Sequence, residues 1–148
     1  MTEAFPTLFS PLKLGPLTLR NRIAMAPLTR QMAEPDGTPT DEMVAYYARR
    51  ARGGLGLIIT EGTYEQDAFQ SRAYLSQPGI TNDRHQAGWA KVCDAVHAHG
   101  AKIIVQLMHG GRVCDPRTLN GQPPVSASAT QSGGWVLYTD SDDEKQIR

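Results

Sequence analysis

Cysteine is scarce: the 148-residue chain contains two, Cys93 and Cys114, and no CxxC pair. A disulfide framework or a thiolate metal centre needs more than that. Both therefore read as reduced thiols in a cytoplasmic protein, with Cys93 a small core residue on a helix. Neither sign of charge dominates, since 15 basic residues face 15 acidic ones. That balance removes the electrostatic footprint expected of a nucleic-acid partner or an anionic membrane surface. No apolar run approaches the roughly 20 residues of a membrane span. Met1–Pro6 carries Glu3 without a cationic start or an apolar core, so no export signal is indicated. A GxGxxG fingerprint is also missing after every apolar run. Gly53-Gly54-Leu55-Gly56 lies before its run and reads as a helix stop, not a phosphate cradle. His109, one histidine of four, has no Cys or carboxylate at metal spacing and reads as hydrogen-bonded packing.

What is present is an ordinary globular composition, 40% hydrophobic, in a chain long enough to bury roughly 70% of its unfolded surface as one domain. The stretch Asn21-Arg22-Ile23-Ala24-Met25-Ala26-Pro27-Leu28-Thr29-Arg30 organises the rest. Its apolar run, Ile23 to Ala26, stops at a proline that cannot donate to a ladder, and polar groups follow at once. A buried parallel strand that surfaces into a site has this form. Two later runs end similarly, at Thr60-Glu61-Gly62 and at Gln106-Leu107-Met108-His109-Gly110-Gly111-Arg112.

In chain order, residues 1–10 read as a loose terminus. Leu12–Leu14 and Leu17–Leu19 flank Gly15-Pro16 as a small hairpin. A helix starts near Thr38 or Thr40, carries Asp41 and Glu42 at its positive end and stops at Gly53-Gly54. Leu55–Thr60 is a nearly continuous apolar run, the mark of a strand covered on both faces. After a long loop, a second helix begins at Thr81-Asn82-Asp83, presents Trp89, Val92, Cys93 and Val96 as a stripe, and stops at Gly100. Lys102–Leu107 is the third strand. Residues 113–148 show no periodicity and read mostly as loop, with one short strand at Trp135–Tyr138. This β-α alternation predicts a parallel sheet with right-handed crossovers. It fits either a doubly wound sheet or a (β/α)₈ barrel, both of which place chemistry at the carboxyl ends of their strands.

The motifs themselves carry a resemblance. Leu17 to Arg30, Tyr46 to Ala51, Gly56 to Gly62 and Gln106 to Arg112 follow one another, over roughly residues 8–128, in the manner of the Old Yellow Enzyme family of flavin-dependent ene-reductases. The resemblance implies an α/β fold, the amino-terminal portion of a (β/α)₈ TIM barrel, with FMN at the mouth and NADPH or NADH as reductant. Hydride would pass from the flavin to an activated alkene. By the same resemblance Ala26, Pro27, Leu28 and Thr29 lie along the flavin, with Thr29 the residue that tunes it. Gly62 permits close backbone approach, and Gln106 offers a carboxamide to the pyrimidine edge. Gln31 falls where some subfamilies place an aromatic substrate contact. Within this chain the resemblance supplies no catalytic proton donor and no metal ligand.

A complete barrel takes roughly 250 residues. Residues 1–148 are therefore expected to form an incomplete FMN-binding domain whose partner is the remaining barrel segment. The alternative is a non-catalytic remnant or assembly partner that keeps part of the FMN site. Of the other polar residues, Glu61 reads as a structural partner for an arginine such as Arg112. Tyr46 and Tyr47 read as helix-to-barrel packing, and His97 and His99 as solvent-facing.

Overall fold

A computed structural model describes residues 4–66, 71–133, 136–140 and 143–147. A one-turn helix α1 (Pro6–Phe9) leads into an antiparallel hairpin, β1 (Leu12–Leu14) with β2 (Leu17–Leu19). Then come β3 (Ala24–Met25), α2 (Asp41–Arg52), β4 (Leu57–Thr63), α3 (Asp83–His97) and β5 (Lys102–Leu107). Two 3-10 turns, Gly111–Val113 and Pro116–Leu119, and the hairpin β6 (Val136–Asp140) with β7 (Asp143–Ile147) complete the order. The residue expected to open a strand at Trp135 lies outside the described residues.

The central unit is a parallel sheet in the order β3-β4-β5. Helices α2 and α3 cover one face. Met43, Tyr47 and Ala51 from α2 meet Trp89, Val92 and Val96 from α3 over Ile58 of β4. Each such large side chain contributes about 1.5–3 kcal/mol through removal from water. The other face is open: Ile104 is 40% exposed, and Ala24 is exposed as well.

Both helices start where short polar side chains satisfy their first amides. Thr40, not Thr38, caps α2: its Oγ1 accepts from the Met43 amide and donates to Met32 O. Thr38 instead donates its backbone amide to Asp36 Oδ1 at 3.0 Å. Asn82 caps α3 by accepting from Arg84 and His85. At the opposite end Arg20 ties the elements together. Its guanidinium donates to Ala51 O (2.6 Å), Leu55 O (2.8 Å) and His99 O (2.6 Å), joining the carboxyl ends of both helices. Beside it, Asn21 Nδ2 donates to Gly54 O at 2.7 Å. Gly56 must be a glycine, because an added Cβ would sit 2.7 Å from Asn21 O.

The strands are shifted from the sequence reading. β3 is two residues long, and β4 starts at Leu57 and runs on to Thr63. The Leu55 carbonyl is taken by Arg20, while Gly62 and Thr63 still find partners in β5.

Candidate functional site

The carboxyl ends of β3, β4 and β5 form one rim. Between β4 and β5 the register runs Ile59↔Ile104 and then Gly62↔Gln106, so β4 spends three residues where β5 spends two. This bulge repairs its lost ladder bonds with side chains. Thr60 Oγ1 accepts the Gln106 amide at 3.0 Å and donates to Glu61 O at 2.9 Å. Thr63 Oγ1 donates to the same carbonyl at 3.0 Å. The bulge also re-aims a side chain. Ile58 packs into the helix layer, and strict alternation would send Glu61, three residues on, to the opposite face. Instead Glu61 meets Tyr47 of α2: its own amide donates to the Tyr47 hydroxyl at 3.0 Å, and the hydroxyl donates to Oε1 at 3.4 Å.

Glu61 Oε2 accepts two consecutive backbone amides from the segment after β3, Arg30 at 2.8 Å and Gln31 at 3.2 Å. That bond draws the end of β3 beside the end of β4. Thr29, one residue earlier, is exposed, as are Ala26 and Leu28, and Pro27 is half-buried. Gly62 is the register partner of half-buried Gln106. Gly62 and Gln106 therefore lie at the ends of β4 and β5, and Thr29 lies four residues beyond the end of β3, on the segment that Glu61 holds. Among the described residues, neither the Thr29 hydroxyl nor the Gln106 carboxamide makes a hydrogen bond. A hydroxyl and a carboxamide left open on one rim suit a flat heterocycle whose edge alternates C=O and N–H, so this donor set is compatible with a flavin.

Gly62 differs from expectation in what lies over it. An added Cβ would stand 3.0 Å from Met108 Cβ and nearer still to its sulfur. The glycine accommodates the Met108 thioether, and Met108 also packs on the cluster of Ala73, Cys114 and Leu119. The Gly62 carbonyl is held by Gln77, fully buried, whose Nε2 donates to it at 2.9 Å while its Oε1 accepts from the Ala73 and Tyr74 amides. Gln77 carries no signal in the sequence, and Met108, although it stands in the run that ends β5, is not marked by its residue type as a partner for Gly62.

Several other residues depart from their sequence readings. Glu61 is a structural acceptor, but its partners are the two backbone amides and Tyr47, whereas Arg112 donates to Thr130 Oγ1 at 2.8 Å. Burial pushes the Glu61 carboxyl above the ordinary glutamate range, against the opposing pull of the Arg30 and Gln31 amides. Tyr47 does more than pack, and burial raises its phenol well above the usual value. Tyr46 is half-buried, with the Arg50 guanidinium 3.3 Å from its ring centroid. Cys93 is only half-buried, and the buried cysteine is Cys114, whose thiol burial pushes up to about 11. His97 and His99 are exposed, and exposed His109 accepts the Gly111 amide at 2.9 Å. Among the described residues no group of three His, Cys, Asp or Glu side chains could hold a metal, and no helix is long and apolar enough to cross a membrane.

Known proteins similar to this chain are named as oxidases and reductases. An NADH oxidase of Thermoanaerobacter brockii is 40% identical over 84% of this chain, which spans 19% of that protein. Chanoclavine-I aldehyde reductase of Penicillium roqueforti is 46% identical over 83% of this chain, which spans 34% of it. Among solved structures, the Old Yellow Enzyme homologue of Zymomonas mobilis superposes with a TM-score of 0.82 at 37% identity, over 97% of this chain and 38% of its own. Morphinone reductase in complex with tetrahydroNAD gives 0.79 at 41% identity, over 96% and 38%. The fold is thus α/β, corresponding to part of an Old Yellow Enzyme barrel, and the chain spans well under half the length of these relatives. Residues 7–140 match the profile of the NADH:flavin oxidoreductase / NADH oxidase family, and the chain belongs to that family.

Proposed function

We propose that this chain carries the first part of the FMN site of an ene-reductase-type oxidoreductase, which takes hydride from NADPH or NADH and delivers it through the flavin to an activated alkene. The observation that carries this reading is the shared rim: Gly62 and Gln106 are register partners, and Glu61 bonds the residue after Thr29 to the same edge. Bound FMN would supply the hydride relay. Ala26, Pro27, Leu28 and Thr29 would lie along one side of it, Gly62 would give backbone access, and Gln106 would bind the pyrimidine edge. Thr29 would adjust the potential without moving a proton. A hydrogen bond to a group gaining negative charge is worth roughly 1.5–3 kcal/mol, about 30–60 mV on a two-electron couple. Among the described residues, Glu61 is not placed to protonate a substrate, because both its oxygens already accept internal donors.

The parallel edges of β3 and β5 and the open face bearing Ile104 favour completion by further barrel strands, the partner in this reading. Alone, the chain is expected to retain little or no FMN. Fused to the remaining barrel of the Zymomonas mobilis homologue, it is expected to hold FMN stoichiometrically, with a flavin absorbance that weakens in Gln106→Ala. A correctly folded but colourless fusion would sink the FMN reading. Stoichiometric flavin on the 148 residues alone would sink the requirement for completion.

A further inference from the structure

We propose that Glu61 is the positioning residue of the loop that follows β3: anchored by Tyr47, its carboxylate fixes the backbone path on which Ala26–Thr29 sit at the rim. The inference deepens the FMN reading above and relies on it only for what that loop would touch.

Three observations carry it. A single oxygen, Oε2, receives two consecutive backbone amides at 2.8 and 3.2 Å. Two adjacent N–H groups converge on one acceptor only where the chain turns sharply, and the turn is there: Gln31 has φ 54, in the left-handed region that side chains rarely adopt. The acceptor itself is not free to follow the loop. Glu61 is 1% exposed, its amide is held by the Tyr47 hydroxyl, and its carbonyl accepts from Thr60 and Thr63. The order of constraint therefore runs from helix α2 through Tyr47 to Glu61, then to the Arg30 and Gln31 amides, and so to Thr29. Arg30 Nε donates back to Thr29 O at 3.0 Å, closing the turn on the residue in question. The Glu61 carboxyl offers two oxygens, so Oε2 holds both loop amides while Oε1 faces the Tyr47 hydroxyl. Its place on the β4 bulge, and not on a regular stretch of strand, aims it at α2 and the loop together.

The test is amide hydrogen exchange on the 148-residue chain, read residue by residue. Glu61→Met keeps the volume and removes both oxygens. It should speed exchange at Arg30 and Gln31 by about tenfold or more relative to Ile58 and Val92, whose protection reports the global fold. Glu61→Gln, which retains one accepting oxygen, should restore most of the protection. Unchanged exchange at both amides in a folded Glu61→Met protein would overturn the proposal. Should that variant not fold, the wild-type chain decides by titration of the amide shifts. Of the groups facing the carboxylate, Arg30 on the loop keeps its charge and buried Tyr47 on α2 stays protonated in acid. The Arg30 and Gln31 amides should therefore move together with the Glu61 carboxyl carbon, and independent movement would refute the arrangement. In the flavin-binding fusion, Glu61→Met should weaken FMN retention at least as much as Thr29→Ala. A fusion that never binds flavin would count against the FMN reading and leave the exchange result to judge Glu61.

Discussion

Removing one oxygen atom, by Tyr47→Phe, isolates the bond between α2 and the bulge. The ring stays, and with it the edge contact to Tyr46 (centroids 5.1 Å apart) and the tilted contact to Trp89 (6.3 Å). Almost no apolar burial is lost. What changes is the Glu61 amide, which loses its acceptor at 3.0 Å in a place where Tyr47 is 0% exposed and water cannot substitute. A buried donor left unsatisfied costs about 1–3 kcal/mol. The longer contact to Oε1, at 3.4 Å, adds little. Taking about 2 kcal/mol, and roughly 3 °C of melting temperature per kcal/mol in a domain of this size, the variant should melt about 6 °C lower. Its urea unfolding midpoint should fall with an unchanged slope. Tyr46→Phe is the control: among the described residues its hydroxyl makes no hydrogen bond, and its effect should stay within about 0.5 kcal/mol. A Tyr47→Phe protein melting within about 1 °C of wild type would refute the claim that the phenol satisfies the bulge.

Gly62→Ala should cost about 1–3 kcal/mol by forcing Met108 aside. Combining it with Met108→Ala should cost less than the sum of the two single changes, and a double-mutant cycle in urea would measure that coupling. Arg20→Ala should cost about 1–2 kcal/mol, since its carbonyl partners are partly exposed and water replaces some of the loss. The matching observation is faster amide exchange at the carboxyl ends of both α2 and α3. Two carboxylates should give opposite pH slopes in urea unfolding. Asp115 lies below its usual value because the Arg117 side chain bonds it, so its contribution is present above about pH 3.8 and lost as pH falls further. Asp115→Asn should flatten that acid limb. Glu61 is raised by burial, so its contribution is full below its unfolded value of about 4.5 and is lost as pH rises through its folded value. Glu61→Gln should abolish that decline, and an unchanged profile would refute the desolvated carboxylate.

Local sequence determined the elements. Thr40 and Asn82 cap helices because a short oxygen reaches back to orphan amides, and Leu57–Ile59 opens a covered strand because those side chains are apolar. The parallel order followed, since crossovers containing helices leave no other pairing. That the three runs end on one side was legible for the same reason, since parallel strands share a direction, whereas the choice of Thr29, Gly62 and Gln106 there rests on the family resemblance. Tertiary structure alone decided what surrounds that rim. Period-two alternation sends Glu61 to the face opposite Ile58, and only the pairing of β4 with β5 inserts the extra residue that turns it toward Tyr47. Met108 over Gly62, and Arg20 across the ends of two helices, join residues far apart in the chain. A bulge and a long-range contact are properties of two strands or two helices together, so neither is written in the residues of either one.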